Sequence, residues 1–157
     1  MPSLALYQPE IPPNTGNIIR LCANTGIELH LIHPLGFSAD DKQLKRAGLD
    51  YHEWARVRQH ENYTSFTQQL DKTQRILACS TRGTRMYTEI RYELSDVLLF
   101  GPETQGLPTC ILDSMPRENI IRIPMQVSSR SLNLANSSAI ILYEALRQIG
   151  FDTFQLK

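Results

Sequence analysis

Short apolar runs of strand length alternate with segments of helical period along the chain. Runs at Ser3–Tyr7, Glu28–Ile32 and Val97–Phe100 are each followed by a turn and then by a helical pattern. Repeated alternation of this kind is typical of an α/β fold, in which helices cover a mainly parallel sheet. The 157 residues correspond in size to one domain. We therefore predict a single α/β domain over residues 1–157.

The pattern predicts six strands and five helices. The strands are Ser3–Tyr7, Glu28–Ile32, Trp54–Arg58, Arg75–Ser80, Val97–Phe100 and Ile120–Ile123. The helices are Thr15–Asn24, Asp40–Ala47, Tyr63–Leu70, Pro108–Met115 and Ser131–Ile149. Asn14 is expected to cap the first helix, while Gly26 and Gly150 follow the first and last helices. A doubly wound open sheet is the generic fold, but no GxGxxG motif follows the first strand.

The composition excludes several classes of protein. Sixteen basic and sixteen acidic residues balance, so the chain is not a polycation that binds nucleic acid by bulk charge. Three dispersed cysteines argue against a disulfide scaffold and favour a reducing cytoplasm. The histidines lack acidic partners at ligand spacing, so we expect no metal. No apolar run approaches the ~18 residues of a transmembrane helix, so we expect no membrane partner.

A loop at the start of the first helix carries Asn14, Gly16 and Arg20 behind a rigid proline turn. The first turn of a helix offers unpaired N–H groups and a partial positive charge. The guanidinium of Arg20 can reach a phosphate or carboxylate held there. The plainer interpretation of this loop is a capped helix with a surface arginine.

A second loop follows the predicted strand Val97–Phe100 and places Glu103 between Gly101 and Gly106. Two glycines in six residues let the backbone approach a ligand closely. Ligands of α/β sheets lie beyond the carboxyl ends of the strands, so Glu103 is expected at the mouth of a site. The plainer interpretation here is a Gly/Pro turn with a surface glutamate.

A third loop follows Ile120–Ile123 and continues into the longest helix. It is rich in short polar side chains, among them Ser131, Asn133 and Ser137. Such side chains favour helix caps over helix interiors, and each would need a partner if buried. A well-capped amphipathic helix explains them too, but three loops of this kind in one domain are more specific together than apart.

The three loops together resemble the ordered motifs of the SPOUT (SpoU–TrmD) class of S-adenosylmethionine-dependent RNA methyltransferases. The matching motifs are Asn14-x-Gly16-x-x-x-Arg20, Phe100-Gly101-Pro102-Glu103-x-x-Gly106, and Ile123-Pro124-Met125 with Ser131-Leu132-Asn133-x-x-x-Ser137. Within that class the chain is similar to the TrmL (YibK-like) family. That closer similarity rests on Pro9–Gly26, Ala47–His52 and Tyr143–Gln148 and extends over nearly the whole chain.

The resemblance implies a SPOUT α/β sheet with a deep C-terminal trefoil knot and no separate RNA-binding domain. It implies S-adenosylmethionine as cofactor, with S-adenosylhomocysteine as product. The implied cofactor contacts are Cys79, Gly101, Ile123 and Ser131, with Glu103, Gly106, Met125 and Leu132 as neighbours. Cys79 would then form a pocket wall and would not act as a nucleophile.

The resemblance also implies a reaction, namely methyl transfer to the ribose 2′-OH of the wobble nucleotide in the anticodon stem-loop of leucine tRNAs. Family members are homodimers with the active site near the subunit interface, so Arg20 of one subunit would face the cofactor of the other. Arginine stays protonated in proteins, so Arg20 is expected to hold a phosphate beside the target ribose. The side chains that could orient the hydroxyl are Asn14, Ser131, Asn133 and Tyr143.

RNA contacts are expected from local basic patches, because the net charge is zero. The candidates are Arg20, Lys42, Lys45, Arg46 and Arg130, and also Arg82 and Arg85, which flank Gly83. Each could equally be a solvated surface residue. Two alternatives to the wobble-position enzyme stay open. One is a SPOUT ribose methyltransferase for another RNA site, and the other is a noncatalytic, knotted RNA-binding module.

Overall fold

The computed structural model describes residues 1–38, 54–151 and 154. The strands are β1 Ser3–Tyr7, β2 Glu28–Ile32, β3 Val57–His60, β4 Ile76–Cys79, β5 Arg85–Met86, β6 Val97–Phe100 and β7 Ile120–Arg122. The helices are α1 Pro12–Thr25, α2 Tyr63–Gln69, α3 Thr109–Asp113 and α4 Leu134–Ile149, with single 3₁₀ turns at Tyr87–Glu89 and Arg117–Asn119. The predicted helix Asp40–Ala47 lies outside the described residues.

The strands form one sheet in the order β3-β2-β1-β6-β4-β7-β5, and every strand pair is parallel. The predicted α/β fold with a mainly parallel sheet is therefore confirmed. The order brings the carboxyl ends of β1, β6, β4 and β7 side by side. Loops that are far apart in the chain consequently meet at one edge of the sheet.

The sheet is covered on both faces because successive strand residues point in opposite directions. Leu4 and Leu6 of β1 belong to a core cluster that includes residues of α1 and α4, whereas Ala5 packs in a second cluster with Phe66 of α2. Helices α1 and α4 lie against one another on the first face. Among the described residues, no helix is both long and apolar enough to cross a membrane.

Three predicted elements start three residues away from their observed first residue, and other ends differ by one or two residues. Helix α1 begins at Pro12 with Ile11 at its N-cap, so Asn14 lies inside the first turn and does not cap the helix. Helix α4 begins at Leu134, three residues later than predicted, because the side chain of Asn133 accepts hydrogen bonds from Ala135 N and Asn136 N. The third strand begins at Val57 and not at Trp54.

Strand β5 was not predicted, and its position produces the most unusual crossing of the fold. β7 lies between β4 and β5, so the connection between those two strands must cross β7. At the crossing, a Cβ on Gly83 would stand 2.6 Å from the carbonyl carbon of Ile121, which leaves room only for glycine. Ser80 N also donates to Ile121 O at 2.9 Å. The crossing is consistent with the trefoil knot, which stays a prediction.

Two buried histidines form a pair beneath α2. His30 Nδ1 and His60 Nε2 are 3.0 Å apart, and both rings lie against Phe66. Burial, together with the charges of His60 and Arg58, lowers the pKa of His30 to about 4. Burial and Arg58 also lower the pKa of His60, while Glu28 opposes that shift. The hydrogen bond between the rings requires at least one of them to be neutral.

We expect the protein to lose stability as the pH falls from about 6.5 to 4. In that range the unfolded chain takes up a proton that folded His30 does not, so stability present at neutral pH is lost on acidification. For His30 alone, the free energy of unfolding should fall by about 2 kcal/mol between pH 7.5 and pH 5. Urea unfolding at the two pH values measures this difference.

A His30→Gln variant should show a smaller difference between the two pH values, because one titrating group is removed. The control is Ile32→Val in the same strand, which should cost about 0.5–1.5 kcal/mol equally at both pH values. An unchanged pH dependence in His30→Gln would contradict the assignment to the histidine pair.

Candidate active site

A cavity of about 500 Å³ opens where the carboxyl ends of β1, β6, β4 and β7 meet. Its walls come from the start of α1, the segment after β4, the β6–α3 loop and the connection from β7 to α4. These are the three loops singled out from the sequence, together with the crossing segment after β4. The topology of the sheet thus assembles them into one cleft.

All eight residues predicted to lie at the cofactor line this cleft. They are Cys79, Gly101, Glu103, Gly106, Ile123, Met125, Ser131 and Leu132. Three of the residues predicted to act in catalysis, Asn14, Ser131 and Asn133, line it as well. The structure thus brings together residues separated by more than a hundred positions in the chain, while their contacts with a cofactor stay a prediction.

The remaining predicted site residues lie elsewhere. Arg20 is exposed on α1, and Tyr143 is 47% exposed on α4; neither lines the cleft of its own chain. Arg130 is exposed in the β7–α4 connection. The other three predicted RNA contacts, Lys42, Lys45 and Arg46, lie outside the described residues.

Glu103 ties the β6–α3 loop to the beginning of α1. Its carboxylate accepts hydrogen bonds from Glu10 N at 2.8 Å, Ile11 N at 3.2 Å and Asn14 Nδ2 at 3.0 Å. In return, the carboxylate of Glu10 accepts from the N–H and the hydroxyl of Thr104. Both oxygens of Glu103 are therefore engaged in joining two loops.

Asn14 extends this connection to the third loop. Its amide oxygen accepts a hydrogen bond from Asn133 Nδ2 at 2.8 Å, and the oxygen of Asn133 in turn caps α4. These amide orientations are assigned from the hydrogen-bond pattern. Asn14 is 7% exposed, so its amide is withdrawn from solvent. One continuous path of hydrogen bonds thus runs from Glu103 through Asn14 and Asn133 to the start of α4.

The two glycines of the second loop have different physical roles. A Cβ on Gly101 would clash with the backbone of Gly106 and Leu107, so this position requires the absence of a side chain. Gly106 has a positive φ of 69° and open space around it, so its requirement is conformational. Together they fold the loop back on itself and present main-chain groups to the cleft.

Cys79 ends β4 and forms part of the cleft wall. Burial raises the pKa of its thiol to about 12, so the thiol stays protonated at neutral pH. The thiolate is the nucleophilic form of cysteine. Cys79 consequently fits the predicted role of a wall residue and does not fit that of a nucleophile.

The sequence interpretation missed several lining residues. Ser80 and Thr81 follow β4 directly, and Thr104 lies in the second loop beside Glu103. These residues could have been found from the sequence as the polar stretch after a predicted buried strand. Such stretches meet at the carboxyl edge of a parallel sheet. Within the described ranges, no group of three or more His, Cys, Asp or Glu side chains could hold a metal ion.

The donors and walls of the cleft fit S-adenosylmethionine. Phe100, Leu107 and Ile123 supply apolar surface for a planar base, and the glycine-rich loop supplies main-chain groups that can read its edge. Cys79 is a neutral thiol and Glu103 a carboxylate, both compatible with a sulfonium cation. Among the described lining residues Arg82 carries a fixed positive charge, and its Nη1 donates to the hydroxyl of Thr109. A volume of about 500 Å³ is within the usual range for a site of this kind.

The comparisons with known proteins agree with this geometry. The model of the SpoU rRNA Methylase family matches residues 1–143. A tRNA (cytidine(34)-2'-O)-methyltransferase of Yersinia pestis is 55% identical over 161 aligned positions, which span 100% of this chain and 99% of the relative. These matches extend well beyond the three loops, so the similarity concerns the whole domain.

Two solved structures are similar in fold. One, described as giving structural insights into the 2-OH methylation of C/U34 on tRNA, superposes with a TM-score of 0.87 at 46% identity, covering 95% of this chain and 96% of that one. The other is an AdoMet-bound rRNA methyltransferase from Sinorhizobium meliloti, with a TM-score of 0.82 at 27% identity over 96% of this chain and 57% of that one. By the extent of the family match and the identity over its full length, this chain belongs to the SpoU rRNA methylase family.

Proposed function

We propose that this protein transfers a methyl group from S-adenosylmethionine to the ribose 2′-OH of nucleotide 34 of tRNA. The observation that carries the proposal is a cleft, lined by all eight predicted cofactor residues, in a chain 55% identical over its full length to a tRNA (cytidine(34)-2'-O)-methyltransferase. The bound S-adenosylmethionine supplies a methyl group already attached to a good leaving group. The chain's own residues then need to bind the two substrates, orient the reacting groups and exclude water.

Positioning is the main contribution that the described residues can make. The Glu103–Asn14–Asn133 path holds the loops in one arrangement before the substrates arrive. Ser131 and Asn133 line the cleft and are exposed. The Ser131 hydroxyl and the second amide hydrogen of Asn133 Nδ2, beside the one that Asn14 accepts, can orient the attacking hydroxyl. Holding two reactants in line converts a bimolecular step into an effectively unimolecular one, which lowers the barrier substantially.

The proposal requires a second copy of the chain. Helices α1 and α4 pack together, and Arg20 of α1 and Ile140 and Tyr143 of α4 are exposed, as is Leu132 of the cleft at 41%. An exposed apolar face on these two helices would favour association. In a homodimer formed through this face, the partner's Arg20 would reach the cleft and hold the phosphate beside the target ribose. Tyr143 would lie at the subunit interface.

The finer features of the substrate and setting are part of the same proposal. We assign the anticodon stem-loop of leucine tRNAs as substrate, one SPOUT domain over residues 1–157, and the cytoplasm as the compartment. Three free cysteines among the described residues are consistent with a reducing compartment. Arg130, exposed in the connection before α4, is available for RNA.

Methyl transfer to unfractionated tRNA is the direct test. Labelled S-adenosylmethionine is incubated with the protein and bulk tRNA, and the labelled nucleosides are identified and mapped. Label in 2′-O-methylcytidine and a 2′-O-methylated uridine at the wobble position is the expected result. Cofactor binding without transfer to tRNA would reject the proposed substrate and direct attention to another RNA or a noncatalytic role.

Substituting Gly101 tests the cofactor site itself. Gly101→Ala should weaken S-adenosylmethionine binding by at least about tenfold, because the new Cβ displaces the Gly106–Leu107 backbone. Titration calorimetry measures the affinity, and circular dichroism checks that the fold is retained.

The matched control for this substitution is Gly26→Ala. Gly26 ends α1 at a φ of 71° with open space around it, so the change strains the backbone without a clash near the cleft. It should cost about 1 kcal/mol of stability and leave cofactor binding intact. Normal cofactor affinity in folded Gly101→Ala would contradict the assignment of this loop to the cofactor.

Mixed dimers test the role of Arg20 across subunits. Arg20→Ala should lower turnover by at least about 100-fold with little change in cofactor affinity, because the target ribose loses its anchor. Mixing Arg20→Ala protomers with Gly101→Ala protomers should restore activity, since one site of each mixed dimer then has an intact cofactor loop and an intact partner arginine. Failure to restore activity in verified mixed dimers would place Arg20 in its own chain's site or outside catalysis.

A further inference from the structure

A second cavity, of about 530 Å³, borders the crossing segment and shares the lining residue Arg82 with the cleft. Arg82 and Thr84 of the crossing segment form one wall, and Arg117 stands at the turn before β7. Arg82 also lines the first cleft, so its side chain stands between the two cavities. Nothing in the proposed reaction uses this second cavity.

The charge of the cavity is dominated by the two arginines. Neither Arg82 nor Arg117 forms an ion pair with a carboxylate in the described part of the chain; Arg82 Nη1 donates instead to the hydroxyl of Thr109 at 2.6 Å. Asp113 lines the same cavity and is exposed, so the lining carries one carboxylate and two guanidinium groups. Guanidinium groups without carboxylate partners are suited to bind phosphate oxygens in a two-point contact.

The rest of the lining is apolar. Leu112 is buried, and Met115 and Ile120 are partly buried members of the second core cluster. A cavity that combines two guanidinium groups and a hydroxyl with an aliphatic wall matches the chemistry of a nucleotide. The phosphate would meet the arginines, and the base or ribose would pack on the aliphatic side chains.

We propose that this cavity receives a nucleotide of the substrate RNA that flanks the methylated one, with Arg82 and Arg117 holding its phosphates. The inference rests on the proposed function, because it takes the RNA strand to begin at the cofactor cleft. Arg82 borders both cavities, so a strand with its target ribose in the first can continue past this side chain into the second. This contact strengthens RNA binding and fixes the position of the strand relative to the cleft. It takes no part in methyl transfer.

Arg117→Gln is the informative variant, since Arg117 lines only the second cavity. The KM for tRNA should rise at least about fivefold with kcat and cofactor affinity unchanged, and the slope of log affinity against log salt should fall by about one. Tritiated methyl transfer measures the kinetics, and anisotropy of a fluorescent anticodon stem-loop RNA measures binding independently of turnover. The matched control is Arg91→Gln, an exposed arginine near the amino end of β4, which should change neither quantity.

The outcomes separate this inference from the proposed function. Active wild-type protein whose KM and salt slope are unaffected by Arg117→Gln would overturn the flanking-nucleotide site and leave the proposed function intact. Inactive wild-type protein that binds the RNA through Arg117 would reject the proposed function alone. Binding of AMP or inorganic phosphate at this cavity that RNA does not displace would also overturn the inference, because the site would then serve a free phosphate compound.

Discussion

The cleft depends on the hydrogen bonds of one carboxylate, that of Glu103. It accepts from two main-chain N–H groups before α1 and from the amide of Asn14, whose oxygen accepts in turn from Asn133. These partners are separated by 93, 92, 89 and 119 positions in the chain, so the path joins loops that nothing local would hold together. Hydrogen bonds to charged groups contribute about 1.5–3 kcal/mol each. The partial positive charge at the start of α1 adds to the attraction. The loops are therefore set in place before any substrate is present, which is what electrostatic preorganisation requires.

Within the proposed function, this use of Glu103 leaves the main chain to recognise the cofactor. With both carboxylate oxygens engaged, the second loop has few side-chain groups to offer, and its shape instead depends on the space around Gly101. A site built from backbone is less sensitive to rotamer changes than one built from long side chains. It is also less tolerant of any Cβ where the chain folds back on itself. The same constraint recurs at Gly83, where the crossing segment lies against Ile121. Both glycines lie where two backbone segments touch, and both segments contribute residues to the cleft.

The sequence predicted the sheet and the composition of the cleft better than the local boundaries. Strands such as Ser3–Tyr7 and Val97–Phe100 are buried apolar runs whose signal is local, and they were predicted to the residue. The roles of Asn14 and Asn133 depend on partners far along the chain. A local sequence pattern instead predicts that an asparagine before a helix caps that helix. The prediction that Asn14 caps the first helix is therefore wrong. β5 has only two residues, too few for a periodic signal, and its place beyond β7 follows from a crossing that local pattern does not encode.

The position of Arg20 outside its own chain's cleft has an electrostatic reason within the proposed mechanism. A sulfonium cofactor is a cation, and a permanently charged guanidinium close to it would weaken binding by like-charge repulsion. The cleft of a single chain presents a neutral Cys79 and the carboxylate of Glu103 near the proposed cofactor, while Arg82 is drawn toward Thr109 at its border. A guanidinium delivered by a second subunit, and accompanied by the RNA phosphate that it holds, would bring no net positive charge with it. Within the proposal, the RNA phosphate would thus offset the charge of the partner's arginine beside the bound cofactor.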